Sequence, residues 1–165
     1  MARQSETSMT KYDDLPRTYA TLCFAGDDLD PSHISAILPV PPKRSHRKGE
    51  TFHAGARAGD LIGRTGIWYF DTSDLPSHDL SEHLRRIVSL LYSRTDDNAL
   101  RLNRLREVMT RERAAAHVSC FWYGKAGMQQ PIVPNDVRLA LESLPADIET
   151  EFHTASVCDE GGNGR

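Results

Sequence analysis

Two histidines and two glutamates in the last third of the chain have the side chains whose chemistry is easiest to name. His117 lies in one segment of alternating residues, and Glu149, Glu151 and His153 lie in another. Imidazole and carboxylate groups together can serve as a general acid and base. If the two segments are neighbouring strands, these four side chains share a sheet face. A small hydrolase or transferase is therefore one hypothesis, although no activated nucleophile accompanies the set.

Three aspartates, Asp27, Asp28 and Asp30, crowd a turn that follows Gly26. A carboxylate cluster can hold a hard cation such as calcium or magnesium. The spacing differs from that of a helix-loop-helix calcium site, because no glycine and distal glutamate follow in register. Asp30 also precedes Pro31, which is the pattern of a helix N-cap followed by proline at the first helical position. We therefore interpret the aspartates as a turn and a cap, and we predict neither a metal nor a cofactor.

Residues 43–64 form the most basic part of the chain, with six basic and two acidic residues in a protein of net charge -3. Four glycines interrupt this segment, so we predict a loop with exposed histidines at positions 46 and 53. Such a loop suits a phosphate, a nucleic-acid backbone or an acidic partner. It lacks the Gly-Lys-Ser/Thr ending of a phosphate-binding P-loop. The candidate binding residues are Lys43, Arg44, His46, Arg47 and Lys48.

The elements that position these residues are predicted from periodicity. Residues 18–25 alternate as a strand whose core face holds Ala20, Leu22 and Phe24. A short helix should run from Pro31 to the prolines that begin at position 39. A second strand, 66–72, should place Trp68 on its inner face together with Phe70.

A helical hairpin, Asp79 to Arg113, should follow. Asp79 and Glu82 resemble a capping box, and the buried stripes of the two helices are predicted to contain Leu80, Leu84, Ile87, Val88, Leu91, Leu102, Leu105 and Met109. A strand over 115–123, a helix ended by Pro145 and a strand over 147–154 complete the chain. In the last strand, Ile148, Thr150 and Phe152 should face inward.

Two strand-helix-strand units with an inserted hairpin indicate an α+β fold, a ferredoxin-like two-layer sandwich. Helices would cover one sheet face and leave the other open. The open face would present Tyr19, Thr21, His117, Ser119, Phe121, Tyr123, Glu149, Glu151 and His153. Of these, Tyr19, Phe121 and Tyr123 are further candidate binding residues.

The composition of this open face favours a protein partner over nucleic acid. RNA-recognition sheets stack bases on aromatic residues backed by basic ones, whereas Glu149 and Glu151 would repel phosphate. The sequence motif of those modules is also missing. A mixed aromatic and charged face can meet a protein partner or its own copy across a two-fold axis. The favoured hypothesis is therefore a non-catalytic interaction or dimerisation module, and the alternatives are the small enzyme and phosphate or nucleic-acid binding through 43–64.

Length and composition predict one globular domain in the cytoplasm. The chain has 165 residues, of which 39% are hydrophobic and 26% charged, and we place the domain at 17–154 between flexible tails, 1–16 and 155–165. Three cysteines, Cys23, Cys120 and Cys158, match no metal-ligand spacing, and their odd number without a secretory signal favours a reducing compartment. No stretch approaches the roughly 20 apolar residues needed to cross a bilayer, so we expect no membrane contact.

Three segments of the sequence resemble a bacterial family, the domain of unknown function 4279. They are the run GDDLDPSHIS, the segment Arg47-Lys48-Gly49-Glu50, and Gly66-Ile67-Trp68 before a leucine-rich helix. The resemblance extends from about Tyr19 to Phe152. It implies a single α+β domain and, because the family is functionally uncharacterised, it implies no catalytic residues.

Overall fold

The structure, a computed structural model, describes residues 17–53, 59–92 and 98–154. Within these ranges the elements follow in the order β1 (Arg17–Gly26), α1 (Pro31–Ser35), β2 (Arg44–His46), β3 (Thr51–His53), β4 (Asp60–Ile62), β5 (Gly66–Asp71), α2 (Leu80–Leu91), α3 (Asn98–Arg111), β6 (Ala115–Gly124), α4 (Asn135–Glu142) and β7 (Asp147–Thr154). The two predicted tails and Cys158 lie outside the described residues.

Strand β1 is the centre of the main sheet, whose strand order is β2-β5-β1-β6-β7. It pairs antiparallel with β5 and with β6, whereas β6 and β7 run parallel on either side of the α4 crossover. The α+β class is confirmed. The ferredoxin-like detail is not, because the two strands of each unit in that fold run parallel and β1 and β5 do not.

One hydrophobic core fills the space between this sheet and the helices. Ala20, Leu22 and Phe24 of β1 are fully buried, as their alternation predicts. Trp68 and Trp122 lie on the same side of the sheet, as predicted, and this side packs against the apolar stripes of all four described helices. The predicted Thr150 is exposed despite its inward register, because β7 is an edge strand.

The helix starts agree with the predicted caps, with one difference. The Asp30 carboxylate accepts a hydrogen bond from the Ser32 backbone N–H at 3.0 Å, and that of Asp79 accepts one from Ser81 at 2.8 Å. The Asp79 N–H donates to the Ser77 hydroxyl at 3.1 Å rather than to Glu82, so only half of the predicted capping box forms. Helix α1 ends at Ser35, before the predicted prolines.

The prediction of a basic loop was wrong, because residues 43–64 contain three strands. β2 adds to the edge of the main sheet beside β5, and β3 and β4 pair with each other in a separate hairpin. Strands of three residues are too short to show a readable alternation in the sequence. The hairpin folds over the main sheet, where the Phe52 ring stacks on His46 with centroids 4.1 Å apart.

His46 is consequently buried, with 4% of its surface exposed, which corrects the prediction that it would be exposed. His83 on α2 is also buried, and its two ring nitrogens lie 2.7 Å from the Thr72 hydroxyl and 2.9 Å from the Ser77 carbonyl oxygen. The Thr72 hydroxyl in turn accepts a hydrogen bond from the Ala20 N–H at 2.9 Å. Thr72 therefore connects His83 of α2 to the central strand β1.

Candidate functional site

The sheet side that faces away from the helices, here called the open face, is the largest surface that the sequence singled out. Its side chains come from alternate positions of neighbouring strands, and partly exposed aromatic rings lie across its middle. Tyr19 stacks on Phe121 with ring centroids 4.8 Å apart, and the ring of His153 lies 6.4 Å from that of Phe121. Tyr123 lies beside them in register with His153. The predicted aromatic residues therefore do share one surface.

The open face has charges of opposite sign at its two edges. Its acidic edge is Asp147, Glu149 and Glu151 on β7, all exposed. Its basic edge is Arg44 on β2, whose guanidinium lies 6.0 Å from the centre of the Tyr69 ring. The two edges of this surface therefore differ in charge, while Arg17 on β1 and Asp71 on β5 lie on the same face between them.

Carboxylates on both sides of the central tyrosine act on its hydroxyl group. Burial, together with the nearby carboxylates of Glu151 and Asp71, raises the pKa of Tyr19. Tyr19 is thus held as a neutral phenol, which suits a contact surface better than a base.

The four acid-base candidates lie on the open face but do not form one set. His117 pairs in register with Asp147, and its Nδ1 lies 3.7 Å from an oxygen of that side chain. His153 lies six residues farther along the same pair of strands, beside Glu151 at 3.4 Å. At about 3.3 Å per residue, the two histidines are roughly 20 Å apart. General acid-base catalysis by both would need a much shorter separation.

The three candidate metal aspartates each contact a different basic side chain. Asp27 pairs with Lys48 and Asp30 with Arg47, so the acidic turn and the basic segment lie against each other. Hydrogen bonds from Lys48 and Thr65 lower the pKa of Asp27. Asp28 pairs instead with Arg113. In residues 17–53, 59–92 and 98–154, no group of three or more metal-ligating side chains converges.

These ion pairs also change the interpretation of the basic segment. Lys43 donates a hydrogen bond to Asp71 at 2.6 Å. Three of the candidate binding residues in the basic segment, Lys43, Arg47 and Lys48, therefore already form ion pairs with carboxylates of the same chain. Arg44 differs, since it contacts a tyrosine ring. A phosphate would have to compete with the existing partners of the other three.

Sequence reasoning missed a buried carboxylate, Glu112, at the end of α3. Its side chain is 8% exposed, and it accepts hydrogen bonds from the Asp30 N–H at 2.9 Å, from His33 Nδ1 at 2.5 Å and from Arg111 at 2.7 Å. Burial alone would raise the pKa of this carboxyl, but these hydrogen bonds outweigh burial and leave it lowered. No local pattern distinguishes Glu112 from a solvated helical glutamate.

The two described cysteines are free thiols that suit no catalytic role. Burial raises the pKa of Cys23 and raises that of Cys120 to about 11. A thiol is nucleophilic only as the thiolate, so both side chains are chemically quiet at neutral pH.

Three comparisons complete the description of the chain. A family model described as Domain of unknown function (DUF4279) matches residues 16–154. Comparison with curated proteins finds no match, and comparison with solved structures finds none either. Among the described residues, none of the helices has the length and apolar character needed to cross a membrane.

Proposed function

Since the chain belongs to the family described as a domain of unknown function (DUF4279), and since that description assigns no activity, we propose a function from the open face: a non-catalytic module that pairs with a second copy of itself. The observation that carries the proposal is the band of partly exposed aromatic rings between a basic edge and an acidic edge. Aromatic residues are enriched where protein surfaces meet.

The separation of charge supports a second copy as the partner. A two-fold axis that lies between two facing sheets, parallel to β1, superposes the β2 edge of each copy on the β7 edge of the other. Arg44 of one copy then faces Asp147 and Glu149 of the other, while the Tyr19 side chains meet near the axis. The two edges of the patch are therefore complementary to each other in charge across the axis.

The size of the face sets the expected strength of pairing. Five strands at about 4.8 Å spacing span roughly 24 Å, and the two longest have 10 residues each, or about 33 Å. Because the edge strands are shorter and the β3–β4 hairpin covers His46 at the β2 edge, at most about 500–700 Å² per copy is available. This lies just below the roughly 800 Å² of a standard interface, so we expect a dissociation constant in the micromolar range.

Light scattering over a range of protein concentrations up to about 100 µM tests the proposal, since that range brackets micromolar affinity. The parent protein should approach twice the 18.5 kDa mass of one chain. Phe121→Glu should weaken pairing at least about thirtyfold, because it places an unpaired carboxylate at the centre of the interface. The matched control is Leu139→Glu, which alters a side chain 57% exposed on α4, in the helical layer, and should leave pairing unchanged.

Exchanging the charges of the two edges distinguishes this two-fold arrangement from other ways in which two copies could meet. Arg44→Glu alone should weaken pairing, and adding Glu149→Arg to the same chain should restore it. A parent protein that stays monomeric at every concentration would refute self-pairing and leave the face to a different protein. We also propose a cytoplasmic location, with which free thiols at Cys23 and Cys120 are compatible.

A further inference from the structure

A groove of about 940 Å³ lies where the β3–β4 hairpin folds over the β2 edge of the main sheet. The hairpin lines it with Phe52, Leu61 and Ile62, and the sheet lines it with His46 and Ile67. Its volume is within the range of small-molecule sites, which are mostly apolar with a few well-placed polar groups. The groove is separate from the aromatic band that the proposed pairing uses.

The charged side chains of the groove favour an anion. Arg44, Lys48 and Arg64 line it together with one carboxylate, that of Asp60. Lys48 is paired with Asp27, but neither Arg44 nor Arg64 has a carboxylate partner within 17–53, 59–92 and 98–154. Two guanidinium groups are therefore available to a ligand, and a guanidinium is well suited to carboxylate, phosphate or sulfonate oxygens.

The His46 ring contributes a buried polar side chain next to the groove. The His46 ring is stacked on Phe52, with an angle of 1° between the two planes, and its Nδ1 is buried without a hydrogen-bond partner in the described part of the chain. An unpaired buried polar atom costs about 1–3 kcal/mol, and such atoms are uncommon in folded proteins.

The apolar wall of the groove is exposed in the free protein. Leu61 is 43% exposed and Ile62 is 69% exposed, and both belong to β4. A ligand with an apolar body would remove this surface from water, at about 25 cal/mol for each Å² that is buried. Cationic, aromatic and aliphatic contacts thus occur on one concave surface.

We propose that this groove binds a small organic anion with a flat apolar body. The anionic group lies against Arg44 and Arg64, and the body lies against Phe52 and its cross-strand neighbour Leu61. The site shares Arg44 with the basic edge of the open face, so a bound ligand and a second copy would compete for that guanidinium.

Anilinonaphthalene sulfonate is a suitable probe, because it combines an aromatic body with one negative charge and fluoresces strongly away from water. Its neutral parent, N-phenyl-1-naphthylamine, has the same rings without the sulfonate. Titration of the folded protein with each dye should give saturable binding of the sulfonate at one site per chain. The neutral dye should bind about tenfold more weakly.

Two variants separate the contribution of charge from that of the apolar wall. Arg64→Gln should weaken binding of the anionic dye about fivefold and leave the neutral dye unchanged, whereas Leu61→Ser should weaken both about equally. The matched control is Arg85→Gln, which removes the same charge from an exposed position on α2, in the helical layer, and should change neither dye. Neither test variant is at Arg44, so the result is independent of the charge exchange that tests pairing.

Amide chemical shifts locate the bound dye. The largest changes should fall on Gly63, Thr65 and Ile67, which line the groove. Equal affinity for the two dyes, equal loss in Arg64→Gln and Arg85→Gln, or shifts confined to the band around Phe121 would each overturn the proposal.

Discussion

Replacing Glu112 with glutamine removes the charge that joins the end of α3 to the start of α1. One carboxylate oxygen accepts the backbone N–H of Asp30, which is the N-cap of α1, and the other accepts His33 and Arg111. Glutamine has nearly the same shape but only one acceptor oxygen. Its NH₂ group must face a donor at one of the two positions, and that hydrogen bond is lost.

The expected loss in the free energy of unfolding depends on which of the three donors can form a hydrogen bond to water instead. His33 and Arg111 have side chains 48% and 58% exposed, so solvent can replace much of what they lose. The Asp30 N–H points at a side chain that is only 8% exposed and has no such alternative. A hydrogen bond to a buried charged acceptor contributes about 1.5–3 kcal/mol. We expect Glu112→Gln to lower the free energy of unfolding by about 2 kcal/mol at pH 7.

The hydrogen bonds to Glu112 also determine how the free energy of unfolding depends on pH. The pKa of Glu112 in the folded protein lies below its ordinary value of 4.5, so the unfolded chain binds the proton more readily. The stabilisation is therefore complete above about pH 4.5 and is lost as the pH falls through the lower, folded value. The difference between the parent protein and Glu112→Gln should shrink in that acidic window.

Urea unfolding followed by tryptophan fluorescence measures both effects at one protein concentration, from pH 7 down to about pH 3. The matched control, Glu107→Gln, alters an exposed glutamate of the same helix and should change the free energy by less than about 0.5 kcal/mol. If Glu112→Gln unfolds at the same urea concentration as the parent at pH 7, the buried carboxylate does not hold α1 to α3.

Two further outcomes follow from packing. Gly63→Ala should lower the free energy of unfolding by about 1–3 kcal/mol in urea titrations, because an added Cβ would lie 2.8 Å from the Arg47 carbonyl oxygen and 3.0 Å from His46 Nε2; an unchanged midpoint would contradict this close contact. Cys120 is fully buried with a pKa of about 11, so its alkylation by iodoacetamide at about pH 8 should be at least about 100-fold slower in the folded protein than in urea. Peptide mass spectrometry would measure that ratio, and rapid labelling of the folded protein would contradict the burial.

The sequence was sufficient to predict the elements whose pattern is local. The core face of β1, the stripe of α2 and the caps at Asp30 and Asp79 each depend on residues a few positions apart, and each was confirmed. Strand order was not predictable in the same way, because β1 pairs with β5 and β6 through contacts between distant parts of the chain. The hydrophobic period of a segment and the propensities of its residues contain no information about which strand will lie beside it.

The surroundings of single side chains were the hardest to predict. His46 looked exposed because it lies among charged residues and glycines, and the packing of Phe52 and Gly63 against its ring became visible only in the structure. Glu112 follows an arginine at the end of a helix and looks solvated until α1 is placed against it. Two of the segments that show the family resemblance, the acidic turn and the basic segment, lie against each other in the structure. The Asp27–Lys48 and Asp30–Arg47 ion pairs connect them.

The position of β1 also determines the order in which this protein can fold during synthesis. β1 is made early, yet its partners along β6 follow about a hundred residues later, so the longest ladder of the sheet closes late. Until β6 has left the ribosome, Leu22 and Phe24 have a neighbour on one side only, and the nascent chain has apolar surface to shield. Helices α2 and α3, which need only local contacts to begin, can form first and cover part of that surface while the chain is completed.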